Sequence, residues 1–302
     1  MNPVKQKILN QLIYSEIFGY PLTKKEIAFA IGIEDIEIEL SSLVEQNLVL
    51  QDEEYYTVFD LGSKIENRKK GNAKAKHMLP KALKVANFIS KFPYVEGVGI
   101  SGSLSKGVLM DEADFDFFII TKAQRLWIAR TLLILYKKIF LLNSRKFFCV
   151  NYFIDNEHLA IEERNLFTAT EIATLIPAKG SIFSKFYLEN SWVSDERKTR
   201  DLRKSEETKI KKPILSKIIT RLLDNRFGEW LDRKFMQLTF NRWKRKFSEF
   251  DQSKFDLTMK SRPYVSKHHP HDFQNKVLQQ FEELQTRFQK EYLPILEEKK
   301  AM

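Results

Sequence analysis

Between Gly97 and Thr121 the chain reads GVGISGSLSKGVLMDEADFDFFIIT, and no other stretch restricts the possible folds as much. A β-branched strand, Tyr94 to Ile100, runs into Gly102-Ser103. After ten further residues, Asp114-Phe115-Asp116-Phe117 opens a second apolar strand that ends near Thr121. Alternate residues of a strand share a face, so the pattern sets Asp114 and Asp116 side by side and sends Phe115 and Phe117 into a core. Unpaired carboxylates this close raise each other's pKa and destabilise a fold, so a cation is expected to neutralise them. Mg²⁺ (or Mn²⁺) suits the pair, because Mg²⁺ takes one or two carboxylates and completes its shell with water and phosphate oxygens. Gly102 allows a tight turn and close approach of a phosphate to the main chain, and Ser103 adds a hydroxyl donor. A helical turn over 103–107 would aim free N–H groups at that phosphate, with Lys106 adding positive charge. A diphosphate held there would reach metal on Asp114 and Asp116, a geometry complete enough for nucleotidyl transfer from a nucleoside triphosphate.

The flanking sequence predicts three units. Residues 1–60 read as helix, helix, helix, hairpin: Val4 to Phe18 has apolar residues at helical spacing, Thr23 and Glu26 form a capping-box signature, and Gly32 is a stop. A third helix is expected over about Glu34 to Gln46, and LVLQ and YYTVFD flank the turn Asp52-Glu53-Glu54. That is the order of a winged-helix module. Residues 61–92 read as a basic helical connector interrupted at Gly71 and Pro80. Residues 93–165 alternate strand and helix, with a third strand over Lys146 to Ile154, and predict an α/β core with a mixed sheet. Residues 166–302 read as an α-helical region almost without strand signals, its helices expected over Thr168 to Leu175, Ser184 to Asn190, Pro213 to Lys246 and Asp272 to Glu291.

The net charge of +10 is concentrated in runs. Leu61 to Phe92 holds nine basic residues against Glu66 alone, and Lys122 to Lys146 adds seven with no acid. Arg197 to Lys217 adds nine against three acids. Such runs suit an anionic partner, whether nucleoside triphosphate, RNA or a phosphorylated acceptor, although solvated helix faces account for many of them. The expected third helix carries Glu34, Asp35, Glu37, Glu39 and Glu45 with no Lys or Arg, which argues against sequence-specific DNA binding. The apolar stretch Arg125 to Leu142 contains four cations and reads as a buried amphipathic helix, with no membrane partner expected. One cysteine, Cys149, and a start without signal-peptide layout point to a reducing cytoplasm.

The Gly-Ser pair followed at about ten residues by Asp, apolar, Asp, apolar resembles the signature of the polymerase-β-like nucleotidyltransferase superfamily over about Val95 to Ile154. The wider order, with a winged-helix start, GISGSLSKG, ADFDFFIIT, RLWIAR and a helical C-terminus, is similar to uncharacterised bacterial nucleotidyltransferase-domain proteins. The resemblance implies metal-dependent transfer of a nucleoside monophosphate from an NTP to an acceptor that it leaves open: small molecule, protein or RNA. It also implies a third acidic residue on a neighbouring strand that assists the base. In KFFCVNYFID that position falls on Asn151, an amide that cannot act as a base, or on Asp155, two pleats further on the same face; a carboxylate elsewhere is the remaining alternative. Without a working base, the same fold would serve as a nucleotide-sensing or RNA-binding regulator. Asp111 and Glu112 read as a solvated loop. His268, His269 and His271 diverge around Pro270 with no cysteine near, so they read as a helix start rather than a zinc site. Trp192, Trp230 and Trp243 read as core.

Overall fold

The computed structural model describes residues 2–111, 113–144, 146–196 and 210–301. Glu112, Arg145 and residues 197–209, most of the third basic run, lie outside the described residues.

The chain begins with α1 (Pro3–Glu16), whose first turn Asn2 caps through its side chain. A two-residue strand β1 (Leu22–Thr23) precedes α2 (Lys24–Ile31), and Thr23 and Glu26 complete the expected capping box. Then come α3 (Glu37–Glu45), β2 (Leu50–Asp52) and β3 (Tyr55–Thr57), and the strands form an antiparallel sheet in the order β1-β3-β2. Ile8, Leu12, Ile27, Leu40 and Leu43 fill this unit, but Phe288 from the far end of the chain joins the same core. The C-terminal helix α13 (Phe273–Ala301) lies against it, and Tyr292 donates to the Val58 carbonyl at 3.2 Å.

The connector is one unbroken helix, α4 (Lys64–Ile89), rather than a helix interrupted at Gly71 and Pro80. At Gly71 the missing side chain matters for a neighbour: a Cβ there would stand 2.8 Å from Val108, and the Gly71 carbonyl accepts from Leu109 N at 3.1 Å. The loop after the candidate phosphate turn therefore packs onto α4, and packing outweighs the weak helix propensity of glycine. Several cations of this helix face carboxylates of the N-terminal unit. Arg68, 6 % exposed, reaches Glu26 at 2.7 Å between the rings of Tyr20 and Tyr55, Lys69 pairs with Glu53, and Lys64 pairs with Glu16.

The central sheet is mixed α/β as expected, with β4 (Val95–Ser101), β5 (Asp116–Thr121) and β6 (Cys149–Asp155) at its middle. β4 and β5 run antiparallel, whereas β5 and β6 are parallel and joined by α6 (Leu126–Phe140). Helices cover both faces, so β5 is a continuous apolar run rather than an alternating one. Phe117 and Ile119 pack with α4 and α6, while Phe118 and Ile120 pack on the other face with α7 (Leu166–Thr174) and α8 (Phe183–Glu189). Among the described residues no helix is long and apolar enough to cross a membrane.

The expectation of an almost strand-free C-terminal region fails. β7 (Ile176–Lys179), β8 (Ser261–Arg262) and β9 (Val265–Lys267) all join the central sheet, giving the order β7-β4-β5-β6-β9-β8. These strands are two to four residues long, too short to show a period, and pairing with β4 and β6 creates them. The sheet thus extends past residue 165. The expected helix over Pro213 to Lys246 is two helices, α10 (Ile214–Leu223) and α11 (Arg226–Lys246), with Asn225 capping the second. A carboxylate of α11, Asp232, accepts from Ile128 N at 2.8 Å and so caps α6 from outside its own sequence.

Candidate functional site

β4 ends at Ser101, directly across from Asp116 at the start of β5. Gly102 then turns with φ +68 into the short helix α5 (Gly102–Ser105). A Cβ at Gly102 would stand 2.5 Å from Asp116 Oδ2, so both the backbone angle and the contact require glycine here. The turn and the carboxylate are therefore one local construction, assembled by the β4–β5 register.

Asp114 precedes the strand, but pairing already begins at Phe115, whose N–H and carbonyl bond with Lys146 and Cys149. Phe115 and Phe117 are fully buried as the alternation requires, and Asp114 and Asp116 line the same cavity together with Gly102 and Ser103. Burial, reinforced by the charges of Glu171 and Asp114, pushes the Asp116 carboxyl up to about 6. A hydrogen bond from the Cys149 thiol and the charge of Lys106 act in the opposite direction. The Cys149 thiol itself is pushed up to about 12, by burial first and then by Asp116, so it stays a neutral donor.

The register of β6 separates Asn151 from Asp155. Phe117 pairs with Val150 and Phe118 with Tyr152, so Asn151 is the extra residue of a bulge. The bulge aims its side chain at the site, where Asn151 Nδ2 lies 3.4 Å from Asp116 Oδ1. Asp155, the other candidate, is corrected: it pairs with Thr121 at the opposite end of β5 and is 3 % exposed. There it accepts from the N–H groups of Glu157 and His158 and contacts the His158 ring at 2.8 Å, holding a turn. Parallel pairing runs β6 away from Asp116, so two further pleats carry a side chain out of reach.

The carboxylate close to Asp116 comes instead from α7. Glu171 lines the cavity, acts electrostatically on Asp116 and pairs with Lys106 at 2.7 Å. Lys106 Nζ also contacts the Gly102 carbonyl at 3.2 Å and is not one of the residues that line the cavity, so it ties the Gly102 turn to Glu171. Sequence reasoning missed Glu171; its signal was weak, a single charge in the otherwise uncharged helix LFTATEIAT.

The cavity measures about 870 Å³, toward the upper end of small-molecule sites. α6 and α11 flank it with cations, including Arg130 and Arg242, and α7 and α13 close another side. His268, His269 and His271 all reach it, with Trp243 tilted against His268 at 5.0 Å between ring centres. Burial and then the charge of Lys267 hold His269 down to about 3, so its ring is neutral at physiological pH. Among the described residues no group of three or more His, Cys, Asp or Glu side chains is arranged to hold a metal. Asp114 and Asp116, both half-buried, could together hold a hard cation that needs only one or two carboxylates, Asp116 having two further acids against one cation around it.

No protein-family model, curated protein or solved structure matches the chain.

Proposed function

We propose that the chain is a metal-dependent nucleotidyltransferase, acting in the cytoplasm, that moves a nucleoside monophosphate from an NTP to a hydroxyl or similar acceptor. The reading takes β4 to β6 and their helices as a polymerase-β-like core and residues 1–60 as a winged-helix module. The acidic α3 and the pairing of α4 cations with carboxylates favour a packing role for that module over DNA reading. The observation that carries the proposal is the contact of Gly102 with Asp116: a turn built to bring main chain close to an anion abuts a carboxylate built to take a cation.

On this reading, the main-chain N–H groups at the start of α5 and the Ser103 hydroxyl hold the β- and γ-phosphates. Asp114 and Asp116 would hold Mg²⁺ or Mn²⁺, which would supply charge neutralisation for the α-phosphate and the leaving pyrophosphate. Glu171, held by Lys106, accepts the proton of the acceptor hydroxyl as its oxygen bonds to the α-phosphorus and the bond to the β-phosphate oxygen breaks. Asn151 donates to Asp116 and fixes the orientation of that carboxylate.

A second reading rests on the same amide. With Asn151 in place of an acid, the fold would bind nucleotide as a sensor without transfer. The experiment is thermal stability with each NTP, with and without Mg²⁺ or Mn²⁺, repeated on Asp114→Asn plus Asp116→Asn. Ligand at about a hundred times its dissociation constant adds roughly 2.7 kcal/mol. Absence of any metal-dependent shift sinks both readings; binding without pyrophosphate release over a range of acceptors selects the sensor.

A further inference from the structure

Arg130 on α6 is 9 % exposed and lines the cavity. Its guanidinium lies over the rings of Trp127 and Trp243, at 5.4 and 4.8 Å from their centres, and among the described residues it has neither a hydrogen-bond acceptor nor a carboxylate partner. None of its nitrogens is a fully buried atom without a partner, so the guanidinium donors open onto the cavity, and two indole faces satisfy none of them. The nearest charge acting on Arg130 is another cation, Arg242 of α11, which also lines the cavity and likewise lacks an anionic partner among the described residues. Of the four acids that line the cavity, Glu163 pairs with Lys260 at 2.7 Å and Glu171 with Lys106, and among the described residues Asp114 and Asp116 form no ion pair with either arginine.

Helical spacing explains the surface. Arg130 and Lys138 stand about two turns apart on α6, and Arg242 and Lys246 stand four residues apart on α11, which packs against α6. All four line the cavity that contains Asp114 and Asp116. Two like charges, one of them buried, lining a common cavity form the mirror image of the carboxylate pair: an arrangement that an oxyanion met by the planar guanidinium forks completes.

We propose that Arg130 and Arg242 form an anion subsite that takes a phosphoryl group of the acceptor, so that the acceptor is a phosphorylated molecule. The word acceptor rests on the nucleotidyltransferase reading; the anion subsite does not. The nucleotide has its own phosphate cradle at Gly102-Ser103 on the sheet, and the cationic flank belongs to α6 and α11, which leaves the flank to the second substrate.

The test uses the full-length chain and inorganic phosphate in a chelator-containing buffer, read by tryptophan fluorescence and calorimetry, because Trp127 and Trp243 border Arg130. Arg242→Ala is the main variant, since Arg242 is exposed and its truncation spares the core; Arg130→Lys serves as the second. Expected results are saturable phosphate binding by the wild type, weakened about tenfold or more in Arg242→Ala. Binding should persist in Asp114→Asn plus Asp116→Asn, and the NTP–Mg²⁺ thermal shift should persist in Arg242→Ala. No saturable response to phosphate at about 10 mM, or equal affinity in wild type and Arg242→Ala, overturns the subsite. Loss of the NTP–Mg²⁺ shift in Arg242→Ala would assign the flank to the nucleotide and overturn the acceptor. Failure of the functional reading shows separately, as an NTP–Mg²⁺ shift absent from the wild type while phosphate still binds.

Discussion

Asp116→Asn should make the metal-free protein more stable near pH 8 while abolishing its response to metal and nucleotide. Asp116 titrates at about 6 in the folded chain against an ordinary 3.8, chiefly because burial penalises its charge. A raised carboxyl pKa contributes stability that is fully present below 3.8 and lost as pH rises through about 6. At pH 8 the wild type therefore carries the whole cost of a buried carboxylate. A shift of about two units corresponds to about 3 kcal/mol at most, and partial exposure to the cavity reduces this to about 1–2 kcal/mol. At roughly 2 °C per kcal/mol for a chain of this size, Tm should rise by about 2–4 °C. Asparagine is nearly isosteric and still accepts through its oxygen, so little packing is lost. Thermal melts of both proteins in chelator, from pH 3 to pH 8, provide the assay. The difference should vanish below pH 4 and open through pH 6, and Mg²⁺ with NTP should raise the melting temperature of the wild type alone. A variant that is less stable at pH 8, or a difference independent of pH, would refute the claim that Asp116 is a strained carboxylate awaiting a cation.

Three other substitutions probe the same construction. Gly102→Ala puts a Cβ against Asp116 at a left-handed φ and should cost about 2 kcal/mol in chemical denaturation, with the NTP–metal shift lost as the carboxylate is displaced. Glu171→Gln should leave NTP binding nearly intact and lower the rate of pyrophosphate release by about 10²–10⁴, measured with a coupled phosphate assay; an unchanged rate removes Glu171 as the base. Lys212 donates to the carbonyls of Ser90, Phe92 and Val95 at 2.6–2.7 Å, where α4 hands over to β4. Lys212→Met should therefore cost about 2–3 kcal/mol in urea unfolding without changing nucleotide affinity.

Much of the middle of the fold was legible because its signals are local. Apolar runs mark β4, β5 and β6, the capping box marks α2, and glycine at a left-handed turn marks the end of β4. Elsewhere local signals misled. Gly71 and Pro80 read as breaks in what is one helix, and the short strands β7 to β9 left no periodicity to read.

By itself the sequence determined the tight turn at Gly102 and the shared side of Asp114 and Asp116, since a glycine's freedom and a strand's two-residue period act over a few bonds; the β4–β5 register then set that turn against Asp116. It left Asn151 and Asp155 as alternatives, because choosing between them needs the β5–β6 register and its bulge, which no residue of either strand encodes alone. Tertiary structure alone brought Glu171 into the cavity with Asp116 and set Arg130 against Trp243 near Arg242. These groups lie on helices distant in the chain, and their meeting depends on how α6, α7 and α11 pack around one end of the sheet.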